Sequence, residues 1–185
     1  KVNPDGTLNL DPDGKPQFHE AARTINHVVY QVRRYRPRIE GLFARIERWT
    51  NVADSTDVFW RSISKDNITT WYGRPGKKLD GSPDPNHSRI TDPADRTRIF
   101  SWLICQSHDD KGNVIAYEYQ PEDSQRIFEN AAGAPAPKVH ERNRESRSTQ
   151  RYLKRIRYGN RAPYLPELKP NASWPEPPPA TDSNG

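Results

Sequence analysis

The chain has 185 residues, 32% of them hydrophobic, with a formal net charge of +5, one cysteine and no methionine; its mean hydropathy is −1.08. Such a composition is poor for an isolated compact domain of this length, so part of the chain is expected to lie loose or to pack on absent neighbours. A lone Cys105 excludes an intramolecular disulfide framework and a cysteine zinc site, and no run approaches the ~18 consecutive apolar residues of a membrane-crossing helix.

Residues 1–20 repeat Pro-Asp-Gly at 4–6 and 12–14 with little apolar content between, which predicts consecutive turns and sets a turn-rich N-terminal segment at 1–26. Asp11, Asp13 and Gly14 supply only a piece of a calcium loop, which needs acidic or Asn side chains alternating as in Asp-x-Asp-x-Asp-Gly. Residues 27–165 predict a β module. "HVVYQVRRY" (27–35) is β-branched and aromatic and is broken by Pro37. "RIEGLFARIERW" (38–49) fits a helix through Ile39, Leu42, Phe43, Ile46 and Trp49, or a strand; Gly41 and the strand-like neighbours favour the strand. "DVFWRSIS" (57–64) and "NITTWYG" (67–73) predict a hairpin around Lys65-Asp66-Asn67. Residues 74–97, with repeated Asp-Pro, predict a surface loop.

"RIFSWLICQS" (98–107) is apolar on both faces, and Cys105 within it reads as a small buried hydrophobe. Asp109-Asp110-Lys111-Gly112-Asn113 is turn chemistry: Asp side chains bond forward to backbone N–H groups and Gly112 tolerates φ > 0. Beyond it Ile115, Tyr117 and Tyr119 alternate with Val114, Ala116 and Glu118, so the two runs predict a second hairpin. Residues 123–147 include "AAGAPAP", which holds no regular ladder, and predict a long mobile insertion. "TQRYLKRIRYGN" (149–160) returns to a strand pattern, and 166–185 read as a Pro-rich linker. The sum is a mainly β fold, an antiparallel meander of about six strands with long polar loops. With no Met, and with Pro, Gly and Asp crowding both ends, the sequence reads as a fragment of a larger protein.

The search for chemistry returns little. There is no phosphate-binding glycine loop, no Gly-x-Ser-x-Gly elbow and no Glu-x-Glu pair, and the five histidines stand no closer than eight residues apart. The expectation is therefore no enzyme activity, no cofactor and no metal. The basicity is local: from Arg142 to Arg161 there are eight basic residues and one acid, so the remainder is slightly acidic. Tyr152 and Tyr158 interleave with those cations as on single-strand-binding surfaces, which makes a polyanion or nucleic-acid-binding module the alternative reading. The simpler reading is a strand with a basic solvent side.

Several strings together, "YRPRIEGLFARIERW", "FWRSISKDNITTWYG", "SRITDPADRTRIFSWLICQSHDDKGNVIAYEYQPED" and "QRYLKRIRYGNRAPY", span Tyr35 to Tyr164 in order. They resemble the SpvB-type N-terminal region shared by bacterial toxin-complex B components and SpvB virulence proteins. The resemblance implies a non-enzymatic, β-rich part of a secreted or host-delivered toxin. In that family the B component, with an Rhs-type C component, builds a hollow β shell around a cytotoxic polypeptide and docks on a pore-forming A component; neither a small-molecule substrate nor direct membrane insertion is implied. The module's partners are then the remainder of its parent B component and the C and A components. The ADP-ribosyltransferase domain of such proteins lies in another region. Asp109, Gly112, Asn113, Tyr117 and Tyr119 carry what looks like one hairpin unit of the Rhs/YD type, whose repeated strand pairs lengthen a curved sheet. The sequence departs from that pattern in having only one clear Asp-x-x-Gly-Asn unit and in the apparent insertion "GKKLDGSPDPNH".

Overall fold

Strand-forming runs separated by short turns pair first with their sequence neighbours, because a tight reversal closes the smallest loop. The computed structural model describes residues 10–15, 17, 20–25, 27–37, 39, 41, 43–77, 82–122 and 148–166, and it follows that rule with one interruption. β1 (Glu20–Ile25), β2 (Val28–Tyr35), β3 (Arg45–Asn51), β4 (Val58–Ile63) and β5 (Thr69–Tyr72) form an antiparallel meander. The chain then leaves the sheet through β6 (Gly76–Lys77), β7 (Pro83–Asp84), β8 (Arg89–Thr91) and β9 (Ile99–Trp102). It returns beside β5 as β10 (Ile104–His108), followed by β11 (Val114–Pro121) and β12 (Arg151–Arg157). Among the described residues the sheet has eight strands in the order β1-β2-β3-β4-β5-β10-β11-β12, while β6 with β7 and β8 with β9 form two small ladders. The fold is mainly antiparallel β, as the sequence predicts.

Register decides which alternate residues share a face. Val32, Trp49 and Phe59 lie opposite one another across β2, β3 and β4, and Glu47, Arg61 and Trp71 do the same across β3, β4 and β5. That face carries the core of Ile25, Tyr30, Val32, Trp49, Phe59 and Trp71. Trp49 stacks on Phe59 at 5.8 Å between centroids and meets Trp71 edge-on at 5.6 Å. Each such aromatic contributes about 1.5–3 kcal/mol of burial, so the centre of the meander is held by rings from three adjacent strands.

The structure corrects three expectations. The N-terminal segment 1–26 is not turns alone: β1 occupies 20–25 and pairs along its whole length with β2. Its "EAARTI" lacks a strand signature, and the unpaired edge of β2 overrides its weak propensity. "RIFSWLICQS" is not one strand but β9 and β10, in different sheets. The break is Leu103, whose N–H donates to the Ser88 carbonyl and whose own carbonyl accepts from Gly73. Residues 74–97 are not a plain surface loop, since Asp84, His87, Ser88, Arg89 and Thr91 are buried. In 38–49 the helical alternative is absent from the described residues: Phe43 has φ of 47° and the strand begins only at Arg45. The expected insertion 123–147 and all but the first residue of the linker 166–185 lie outside the described residues.

Candidate functional site

The β10–β11 turn is built from the Asp109 side chain. Its Oδ1 accepts from the Lys111 and Asn113 N–H groups at 3.0 and 2.8 Å, and its Oδ2 accepts from Asn113 Nδ2 at 2.7 Å. These bonds to the charged form, led by the Asn113 side chain, hold the Asp109 carboxyl below its ordinary range. Gly112 takes φ of 89°. The same five-residue solution recurs at Asp11–Lys15 and at Ser64–Ile68. Asp11 Oδ1 accepts from Asp13 and Lys15 with Gly14 at φ 75°, and Ser64 Oγ accepts from Asp66 and Ile68 with Asn67 at φ 58°. The sequence predicted a hairpin turn around Lys65-Asp66-Asn67 but not its kinship with the Asp-x-x-Gly turns, because a hydroxyl in first place and Asn in fourth satisfy the same backbone. Asn67 Nδ2 reaches Asp110 Oδ2 at 3.3 Å, joining two of these neighbouring turns.

The turn at Gly112 is also a seat. The Gly112 carbonyl accepts from Tyr164 N–H at 2.9 Å and from Asn160 Nδ2 at 2.8 Å, and Asn160 Oδ1 accepts from Val114 N–H at 3.0 Å. A Cβ on Gly112 would stand 2.7 Å from Pro163 Cβ. Tyr164, 3% exposed, lies edge-on to the His108 ring at 5.3 Å between centroids. Burial, reinforced by the Arg61 charge against a smaller opposing pull from Asp109, lowers the His108 pKa to about 4, so the ring is neutral at pH 7. Of the sequence-chosen residues, Asp109, Gly112 and Asn113 form the seat. Tyr119 acts elsewhere, donating to the Ile104 carbonyl at 2.8 Å, and Tyr117 lies opposite Ile156 of β12.

Two buried charge clusters fasten the rest, and neither was legible in sequence. Glu47, 1% exposed, accepts from Arg61 Nε and Nη2 at 2.9 and 2.6 Å, from Trp49 Nε1 at 3.1 Å and from Arg45 Nε at 2.5 Å. Burial pushes its carboxyl up, but Arg61 and Arg45 together outweigh burial and hold it below its ordinary value. Arg61 lies 5.1 and 5.3 Å from the Trp49 and Trp71 ring centroids. In the second cluster Arg89, 3% exposed, donates to the Gly73 carbonyl, to the Thr56 carbonyl at 2.8 Å and to Asp57 Oδ1 at 3.1 Å, while Tyr30 donates to Asp57 Oδ2 at 3.0 Å. One guanidinium thus ties the excursion 73–103 to the β3–β4 turn. Arg151 performs the same service for β12, donating to the Asn86 carbonyl at 2.9 Å beside Asp84.

Desolvation raises the Cys105 thiol pKa, which leaves a poor nucleophile donating to the Trp71 carbonyl. Among the described residues no group of three His, Cys, Asp or Glu is placed to hold a metal ion, and no helix is long and apolar enough to cross a membrane. In the basic segment, Arg151 is buried against the excursion, and Arg155 and Arg157 pair with Glu118 at 3.8 and 2.7 Å. A phosphate-tracking surface needs those cations presented outward, so the polyanion alternative loses Arg151, while Arg155 stays half-exposed beside Glu118; Arg142, Arg144 and Arg147 lie outside the described residues.

A family model described as the Salmonella virulence plasmid 65kDa B protein matches residues 4–179. The mono(ADP-ribosyl)transferase SpvB of Salmonella typhimurium (strain 14028s / SGSC 2262) is 29% identical over 134 residues, 72% of this chain but 19% of the relative, so the chain spans about a fifth of that curated protein. Among solved structures, the N-terminal domain of effector protein SpvB from Salmonella typhimurium strain LT2 is similar with a TM-score of 0.63 and 25% identity, covering 94% of this chain and 51% of that one. The crystal structure of TcdB2-TccC3 gives a TM-score of 0.61 at 25% identity over 92% of this chain and 7% of that one. The Photorhabdus luminescens Tc holotoxin pore shares the fold, with a TM-score of 0.59 at 24% identity over 84% of this chain and 6% of that one.

Proposed function

Because the chain belongs to the SpvB family, a family of toxin and virulence proteins whose N-terminal domain is related to Tc toxin components, we propose that it is a non-enzymatic structural module of a secreted or host-delivered toxin protein. Its sheet forms part of the wall of a β shell that encloses a cytotoxic effector. Its partners are the remainder of a B-type parent polypeptide, an Rhs-type C component and a pore-forming A component. The observation that carries this reading is the use of buried charge. Glu47–Arg61, Asp57–Arg89 and Asp84–Arg151 each join separate strands or the excursion to the sheet. A breakable pair that is costly to leave half-made fixes one arrangement of strands, which is what a wall requires.

Two measurements test it. In the parent protein, unfolding this module is expected to abolish shell assembly and protection of the enclosed effector from added protease; normal assembly with the module unfolded would overturn the wall reading. The chain alone, incubated with labelled NAD and a host-cell extract, is expected to transfer no label. Transfer would overturn the non-enzymatic reading and place ADP-ribosyltransferase chemistry in this region.

A further inference from the structure

The two edges of the eight-stranded sheet differ. On β1, Glu20 is paired with Arg33 at 2.6 Å, and no large hydrophobic side chain on that strand is exposed. At the opposite edge, β12 has Tyr152, Leu153 and Ile156 at 57%, 50% and 46% exposure, with Tyr158 just beyond it at 75%. Among the described residues nothing pairs with the outer side of β12. A long edge with exposed apolar side chains and open amides and carbonyls is a template for another strand.

The register shows what chemistry that strand would carry. Arg155 and Arg157 lie opposite Glu118 and Ala116 of β11 and share one face, whereas Leu153 and Ile156 lie opposite Tyr119 and Tyr117 on the other. The ladder is irregular between Glu118 and Tyr119, and Lys154 is the extra residue there. On the cationic face two guanidiniums share one carboxylate, Glu118, and the Arg155 side chain remains 47% exposed. A shallow groove of about 330 Å³ runs beside Tyr152, Leu153 and Lys154. A second copy of this chain paired through β12 would bring arginines towards arginines, which is unfavourable across a ladder.

We propose that the outer edge of β12 receives an extended strand of the remaining parent polypeptide in which carboxylates alternate with apolar side chains. The carboxylates complete the ladder with Arg155 and Arg157, and the apolar residues cover Leu153 and Ile156. This rests on the reading of the chain as one module of a larger wall, and it adds which edge is extended and by what chemistry.

The probes are capped, labelled peptides in which Glu, Lys or Thr alternates with Val, titrated into the 185-residue chain at low salt. The Glu peptide is expected to bind at least about tenfold more tightly than the Lys peptide, to weaken as salt rises, and to slow amide hydrogen exchange in β12. Arg155→Glu is expected to invert the preference toward the Lys peptide, as a charge swap should. Should that variant fail to fold, Lys154→Glu on the exposed bulge is expected to lower Glu-peptide affinity with β2–β5 exchange unchanged. Equal binding of all three peptides, binding of none, or self-association through β12 would each overturn the proposal. Failure of the wall reading looks different: Glu-peptide preference persists while parent assembly is indifferent to unfolding the module. The reverse pattern, assembly lost on unfolding but no peptide preference, removes this proposal and leaves the wall standing.

Discussion

The turns at Asp11–Lys15 and Asp109–Asn113 share one backbone solution, an acidic first residue accepting from the third and fifth N–H groups and a left-handed glycine in fourth place. The space around their glycines differs. A Cβ built on Gly14 meets nothing within 4 Å, whereas one built on Gly112 collides with Pro163 and the Tyr164 backbone. Local chemistry therefore makes the turn, and tertiary contact decides what depends on it. At Gly112 the dependent element is the segment after β12, which reaches back across the sheet to close over His108.

The sharpest way to break this equivalence is a matched pair of substitutions. Gly112→Val adds the collision with Pro163 to the left-handed backbone penalty and is expected to cost about 3 kcal/mol or more, whereas Gly14→Val meets only the penalty, about 1–2 kcal/mol. Urea unfolding of both variants reads the difference directly; equal losses would mean that the Pro163 contact does not form in solution.

Acid probes the same seat without mutation. His108 has a folded pKa of about 4 against an unfolded value of about 6.5. Below pH 6.5 the unfolded chain therefore binds more protons than the folded one, and stability falls with pH from about 6.5 down to about 4. The expected loss between pH 7 and pH 5 is about 2 kcal/mol. His108→Gln should flatten that slope, and an unchanged slope in the variant would assign the acid sensitivity to other groups.

The smallest effects compare first-place residues. Asp109→Ala removes both carboxylate oxygens from three donors, and Ser64→Ala removes one hydroxyl from two. Both losses should fall below that of Gly112→Val, with Asp109 the larger, in line with the loss of a side-chain acceptor from backbone donors. A thermal-shift series ranks them, and a larger effect at Ser64 would contradict the equivalence of the turns.

What could be read without a structure was set by short-range physics. The hairpin β4–β5, the turn at Asp109–Asn113, the strand β2 ending before Pro37 and the antiparallel class all follow from propensities and turn residues acting within a few positions of one another. Cys105 is partly buried and packs against the core, in keeping with its apolar run. Most of the excursion was not legible. Asp84, Ser88 and Arg89 are polar in sequence, and they are buried only because Arg151, the Arg74 carbonyl and Asp57 arrive from distant positions. The same holds for Glu47 and Arg61, whose pairing across β3 and β4 needs the register and not the residue types alone.

The amino-acid sequence by itself determined the strands that have strong propensity, the turns that have their own side-chain acceptors, and membership in a family through long ordered strings. Tertiary structure alone decided that Glu20–Ile25 becomes a strand, that Leu103 splits one apolar run between two sheets, and that the Gly112 turn carries the segment after β12. The physical reason is range. A turn or a β-branched run is stabilised by atoms a few residues away, whereas a buried Arg89 or a Gly112 pressed against Pro163 acquires its energy only when positions tens of residues apart meet.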